Sequence, residues 1–179
     1  AIIFGSIYFH IDSVMLSKLR GDIEVGIYSV AYNLVIALLF IPAVYINAIY
    51  PVMSRYFKTS VDMLISIHKR SIKYLYIIGL PISVGLFFLA DEVISFFYGE
   101  PYKSSALALK IISGFVFIKF VNFLNGMTLY SIDKQGKRTV SQGLAAVFNI
   151  VLNLFLIPPF GFVGAAIATL LTEIFLFIF

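Results

Sequence analysis

Apolar runs of about twenty residues follow one another along almost the whole of this sequence, separated by short polar turns. A bilayer's hydrocarbon is about 30 Å thick, and a helix rising about 1.5 Å per residue needs about 20 mostly apolar residues to cross it. Of the 179 residues, 61% are hydrophobic and 12% charged, against about 45–50% and about 25% in a soluble domain. One aqueous core cannot hide that much apolar surface, and the pattern predicts an all-α, polytopic transmembrane helix bundle. No basic region precedes Ala1-Ile2-Ile3-Phe4, as a signal peptide requires, and the last residues end inside an apolar run. A single membrane domain, cut from a longer protein at both ends, is therefore expected. With no cysteine and two scattered histidines, neither a disulfide nor a metal cage is expected.

Six spans are predicted, at about 1–19, 26–56, 72–89, 105–132, 139–157 and 161–179. Pro42 and Pro51 are expected to break or bend the second, Pro81 lies inside the third, and Pro158-Pro159-Phe160-Gly161 is the clearest turn. Loop charge tests this count, because cytoplasmic loops carry excess Lys and Arg. The first loop balances Lys18 and Arg20 against Asp22 and Glu24, and the second carries Arg55, Lys58, Lys69, Arg70 and Lys73 against Asp62 alone. The third, with Asp91, Glu92, Glu100 and Lys103, is acidic, the fourth (133–138) is net basic, and the fifth is uncharged. Positive and non-positive loops alternate, which places loops 57–72 and 133–138 in the cytoplasm of a cell-membrane protein. Basic residues arranged this way answer to topology and not to nucleic acid. Within the second loop, Val61, Leu64, Ile65 and Ile72 share a helical face, so residues 58–71 are expected to form an amphipathic connector on the inner leaflet.

Lipid supplies no hydrogen bonds, so polar groups at membrane depth should face other helices or a cavity. Gly161, Gly164, Ala165, Ala168, Thr169, Thr172 and Glu173 form a small, polar stripe on the sixth span. Gln142, Ala146, Asn149 and Asn153 repeat it on the fifth, and Ser6, His10, Ser13 and Ser17 on the first. Close helix packing through small residues accounts for most of these positions, and His10 reads as a satisfied buried histidine. Charges are harder to dismiss, since one at mid-span costs about 2.5–3.5 kcal/mol on insertion scales. Lys110 lies close enough to the end of the fourth span to snorkel. Lys119 lies near its middle, with Asn122, Asn125 and Gly126 on roughly the same side. That cation calls either for a carboxylate within the bundle or for an anionic substrate. Asp12 and Glu173 are the carboxylates available, either to pair with Lys119 or to bind a coupling proton or sodium ion. Asn33 and Asn47, about four turns apart on one face of the second span, are candidates for sugar hydroxyls or for interhelical hydrogen bonds. Asp91-Glu92 falls in an exposed loop, no P-loop is present, and no catalytic constellation emerges, so an enzyme is not expected.

Three stretches carry a family resemblance: Ile11-Asp12-Ser13-Val14-Met15-Leu16 with Glu24-Val25-Gly26-Ile27-Tyr28-Ser29; Phe97-Tyr98-Gly99-Glu100-Pro101-Tyr102-Lys103; and Asn149-Ile150-Val151-Leu152-Asn153-Leu154, leading into Ile157-Pro158-Pro159-Phe160-Gly161-Phe162-Val163-Gly164-Ala165-Ala166. Together they resemble the C-terminal half of the polysaccharide transporter, O-antigen flippase-like family, within the superfamily that also holds multidrug antiporters. The resemblance implies the C-terminal lobe of a two-lobed flippase that moves lipid-linked oligosaccharide or polysaccharide by alternating access, with the N-terminal lobe and the bilayer as its partners. Glycan polymerase or glycosyltransferases would be neighbours, and no cofactor beyond a coupling H+ or Na+ is implied. Under that reading Lys119 neutralises phosphate and Asn side chains meet sugar. A cation-coupled drug antiporter using Asp12 or Glu173, and a non-transporting scaffold whose charges are only paired, are the rivals.

Overall fold

The computed structural model describes the backbone of residues 2–178 and the side chains of residues 10–178. Ser6, expected on the polar stripe of the first span, lies outside the described side chains. The described chain is helical almost throughout: α1 (Ile2–Arg20), α2 (Asp22–Leu38), α3 (Phe40–Thr59), α4 (Val61–Phe88), α5 (Ala90–Tyr98), a 3-10 turn (Glu100–Tyr102), α6 (Ser105–Ser113), α7 (Val116–Ser131) and α8 (Gln135–Ile178). Three segments, 22–59, 61–88 and 135–178, are long and apolar enough to cross a membrane, and the α6–α7 pair, bent by 53°, makes a fourth. The protein is a multi-pass membrane helix bundle.

The last of these segments is folded in two. A straight helix would separate Phe148 from Phe175 by about 40 Å at about 1.5 Å per residue, yet their rings stack at 4.8 Å. The reversal is at Gly161, whose φ of 56° and ψ of −133° leave the helical region for backbone that essentially only glycine adopts. Pro158 and Pro159, which lack N–H groups, precede the turn. Beyond it the Phe162 N–H donates to Glu24 Oε2 at 2.7 Å, and Arg20 holds the same carboxylate at 3.2 Å. An anion at the start of a helix meets the positive end of its dipole, so Glu24 of α2 anchors the turn. Gly164 then lets the arms touch, because a Cβ there would overlap the carbonyl oxygen of Leu156.

The six expected spans fall on α1, α2–α3, α4, α6–α7 and the two arms of α8, with four corrections. The second span breaks at Leu39, ahead of Pro42, while Pro51 remains inside α3. Residues 58–71 are not a separate surface helix, because α4 runs unbroken from Val61 to Phe88. Its inward stripe is Leu64, Ser71, Leu75, Gly79 and Ser83, whereas Val61 and Ile65 are exposed; the 3.6-residue period carries straight through, and no glycine or proline interrupts it before Gly79. At 28 residues, or about 42 Å, α4 outreaches the hydrocarbon, which leaves room for its basic turns outside. Asp91 and Glu92 sit in the first turn of α5 instead of a loop, where carboxylates favour the helix dipole. The fifth span starts at Gln135 and not 139, so Lys137 and Arg138 are helical.

The core lies where α1, α2, α6 and α8 meet, around Leu16, Tyr28, Leu109, Ile112, Phe115 and Ala165. The expected stripe of the sixth span, from Gly161 to Glu173, is buried at every position named. Ala146, Asn149 and Asn153 of the fifth are buried too, with Gln142 half-buried. His10, read as a buried histidine, is exposed instead; the bundle seals around Asp12, two residues on and turned about 200° from it at about 100° per residue.

Candidate transport site

Two polar centres lie inside the bundle. The first surrounds Asp12 of α1, which is 2% exposed. Asn153 Nδ2 donates to its Oδ1 at 2.5 Å, and the hydroxyls of Tyr28 and Thr169 reach its Oδ2, each at 2.9 Å. The same Asn153 amide donates to Asn149 Oδ1 at 3.0 Å, and Asn149 reaches Thr172 at 3.4 Å. Asn149 and Asn153 are one turn apart on the first arm of α8, and Thr169 and Thr172 lie on the second, so the Gly161 hairpin assembles all four. No cationic side chain among the described residues forms an ion pair with Asp12. Asn153 Oδ1 is buried and, among the described residues, has no hydrogen-bond donor. A carboxylate beside an unfilled carbonyl oxygen, ringed by hydroxyls, is the donor set a hard monovalent cation takes, and the carboxylate is equally a proton acceptor.

The second centre joins α7 to the end of α8. Lys119 Nζ lies 2.5 Å from Glu173 Oε1, with the two residues 5% and 2% exposed. The Asn122 amide donates to Glu173 Oε2 and to the Glu173 backbone oxygen, both at 2.9 Å. The Lys119 ammonium also lies 5.3 Å from the Phe115 ring centre. Of the two partners the sequence allowed Lys119, a carboxylate or an anion, the fold supplies the carboxylate. Lys110, expected to snorkel, meets Asp91 of α5 at 2.5 Å.

A cavity of about 840 Å³ opens beside this pair, within the size range of small-molecule sites. Its polar lining includes Lys119, Asn122, Asn125, Gln142 and Glu173, and Phe40, Phe123, Leu129, Leu176 and Phe177 are among its apolar lining. His68 and Thr128, bonded to each other at 3.0 Å, line it as well. The candidate residues Lys119, Asn122, Asn125 and Glu173 are thus brought together. Asn33 and Asn47 are not: both lie on an exposed stripe of α2–α3, outside the cavity lining. Asp12 belongs to the separate first centre. Reading the sequence missed Arg138, Ser141, His68 and Thr128, all of which line the cavity. Arg138 and Ser141 are one turn apart on α8 and share a face with Gln142, a repeat that becomes visible once the helix is started at Gln135.

The comparisons agree with this architecture. Over 170 residues the chain is 27% identical to a probable low-salt glycan biosynthesis flippase of Haloferax volcanii, covering 94% of the chain and 36% of that protein. It is 24% identical over 169 residues to a probable flippase of the same organism, covering 92% and 35%. An uncharacterized membrane protein of Methanocaldococcus jannaschii is 32% identical over 111 residues, 59% of the chain and 21% of that protein. The chain therefore spans about a third of the length of the two flippase-named relatives. A transporter of the MOP superfamily from Pyrococcus furiosus, whose binding pocket is described as of reverse polarity, has the same fold: TM-score 0.83 at 19% identity, over 99% of this chain and 40% of that one. An outward-facing multidrug resistance MATE family transporter matches to the same extent. The sequence model of the family described as polysaccharide biosynthesis protein matches residues 2–107, more than half of the chain, and the chain belongs to that family.

Proposed function

We propose that this chain is one lobe of a membrane flippase that carries a lipid-linked oligosaccharide or polysaccharide across the cytoplasmic membrane for surface-glycan synthesis, acting as a transporter and not as an enzyme. The observation that carries the reading is the mixed lining of the cavity. It offers Asn122, Asn125, Gln142 and the Lys119–Glu173 pair as polar groups, and Phe40, Phe123, Leu176 and Phe177 as apolar ones. A ligand with a sugar head and a hydrocarbon tail meets both. The name of one Haloferax relative, a probable low-salt glycan biosynthesis flippase, supports the glycan class. A lobe absent from this chain would close the cavity, and rocking of the two lobes would expose it alternately to either side. The exposed Asn33 and Asn47 are costly against lipid and would face that second lobe. The alternation of loop charge puts the basic turns on the cytoplasmic side.

The full-length protein, reconstituted in liposomes with a fluorescent lipid-linked oligosaccharide, is expected to speed the probe's appearance at the opposite leaflet, read by its access to an added glycosidase. No acceleration over protein-free liposomes, together with extrusion of cationic dyes, would put a drug antiporter in its place. No acceleration and no extrusion would favour the scaffold.

Energy input is assigned to the Asp12 centre, where a sodium ion or proton would bind in one state of the cycle and leave in the other. Asp12→Asn is expected to abolish the dependence of flipping on an imposed sodium or proton gradient, while the protein still reaches the membrane and folds. A variant that retains a wild-type gradient response would remove Asp12 from the coupling step.

A further inference from the structure

Arg138 lines the cavity and, among the described residues, has no carboxylate in ion-pair contact. Its position in the basic turn after α7 suggested a solvated topology signal, but α8 begins at Gln135 and turns Arg138 back against α7. There the guanidinium carbon stands 4.8 Å from the centre of the Tyr130 ring. The guanidinium packs against Gly126, where a Cβ would overlap Nη1 and Cζ. Lys119 has Glu173; among the described residues no carboxylate forms an ion pair with Arg138. Its Nη1 is buried and, among the described residues, meets no hydrogen-bond acceptor.

A guanidinium presents five N–H donors in a planar fork and keeps its charge at any ordinary pH. Burying such a donor without an acceptor is unfavourable, so the arrangement is held ready for an anion arriving through the cavity. The amide oxygen of Gln142, one turn along the same face, is also buried without a donor among the described residues, as is Asn122 Oδ1. Rotation could join Gln142 to Arg138, but a neutral amide fills one donor and leaves the charge in place. These two oxygens are acceptors waiting for hydroxyls, and both residues line the cavity that Arg138 lines.

We propose that Arg138, cradled by Gly126 and Tyr130, binds the phosphate oxygens of an amphipathic ligand whose hydroxyl-bearing head meets Gln142 and Asn122. The ligand class rests on the flippase reading above; the oxyanion site itself rests on Arg138. Two sources share this chemistry, the phosphate of a prenyl-linked glycan carrier and the headgroup of an anionic membrane lipid. On the sidedness drawn from loop charge, the site lies toward the cytoplasmic end.

The test is equilibrium binding to the purified full-length protein in neutral detergent, with geranyl diphosphate, geraniol and a short-chain phosphatidylglycerol as probes. Wild type should bind geranyl diphosphate well above geraniol. Arg138→Gln should weaken geranyl diphosphate by about tenfold or more, the equivalent of one charge-assisted hydrogen bond. Lys137→Gln removes the same charge from the exposed neighbouring position and should leave binding unchanged. Gly126→Ala keeps Arg138 but pushes the guanidinium out of its cradle. Alanine favours the helix and the displaced atoms are the end of a flexible side chain, so this variant should fold and still bind weakly; it decides the matter if Arg138→Gln fails to fold.

Equal affinity of wild type and both Arg138→Gln and Gly126→Ala would overturn the site. If phosphatidylglycerol binds as tightly as geranyl diphosphate and with the same Arg138 dependence, the oxyanion site stands and its occupant is a bilayer headgroup. Arg138-dependent binding without flipping of the oligosaccharide probe would sink the flippase reading alone, and flipping with Arg138-independent binding would sink this one alone.

Discussion

Glu173→Leu is expected to lower the stability of the full-length protein by about 3–5 kcal/mol, the range for breaking a buried ion pair by removing one partner. The estimate rests on burial and geometry. Lys119 and Glu173 meet at 2.5 Å in residues 5% and 2% exposed, and removal of Glu173 takes this carboxylate from a membrane-depth ammonium. Asn122 loses one acceptor but keeps the backbone oxygen of residue 173. Denaturant titration in detergent micelles measures the effect, and stability within about 1 kcal/mol of wild type would contradict it. The double variant Lys119→Met/Glu173→Leu should recover most of the loss, because well-packed apolar groups often replace a buried pair at no net cost. It also separates the two roles the sequence left open for Lys119. If the pair is structural, the double variant flips substrate; if Lys119 itself grips an anion, the double variant is stable and inactive.

Gly164→Val should be as damaging by a different route, at about 3 kcal/mol or more. The Leu156 carbonyl oxygen stands where the first added carbon would go. Backbone on both sides leaves no side chain to swing away, so the arms of α8 must part. Overpacking of a rigid contact costs about 1–3 kcal/mol for small additions, and the second centre of damage adds to it. Parting the arms separates Asn149 from Thr172 and Asn153 from the Asp12–Thr169 contact. Hydrogen exchange should therefore rise along both arms and α1, more than in α4 and α7. Damage spread evenly over the bundle would argue against the hairpin as the source.

Much of the interior was legible in one dimension. A helix repeats every 3.6 residues, so the stripe from Gly161 to Glu173 and the pair Asn149–Asn153 could be assigned to an inside face from spacing alone, and both are buried. Lys119 stands out in the sequence because a mid-span charge demands a partner. Asn33 and Asn47 show the limit of such reasoning: spacing puts them on one face of the second span, but what that face meets depends on which helices surround it, and none of this chain's described helices covers it. The α4 connector is a different case: apolar residues 61, 64, 65 and 72 make a plausible face until packing buries Leu64 and Ser71 and leaves Val61 and Ile65 outside.

By itself, then, the order of residues determined that the chain crosses a membrane repeatedly as helices and where it reverses after Pro158-Pro159. Those are local matters, decided by transfer free energy and backbone geometry within a few turns. Only the tertiary structure decided that Glu173 answers Lys119 across 54 residues, that Glu24 anchors the Gly161 turn across 138, and that Arg138 folds inward over Gly126. Each joins groups on different helices, and the energy that selects the pairing comes from packing and desolvation that exist only once the helices have met.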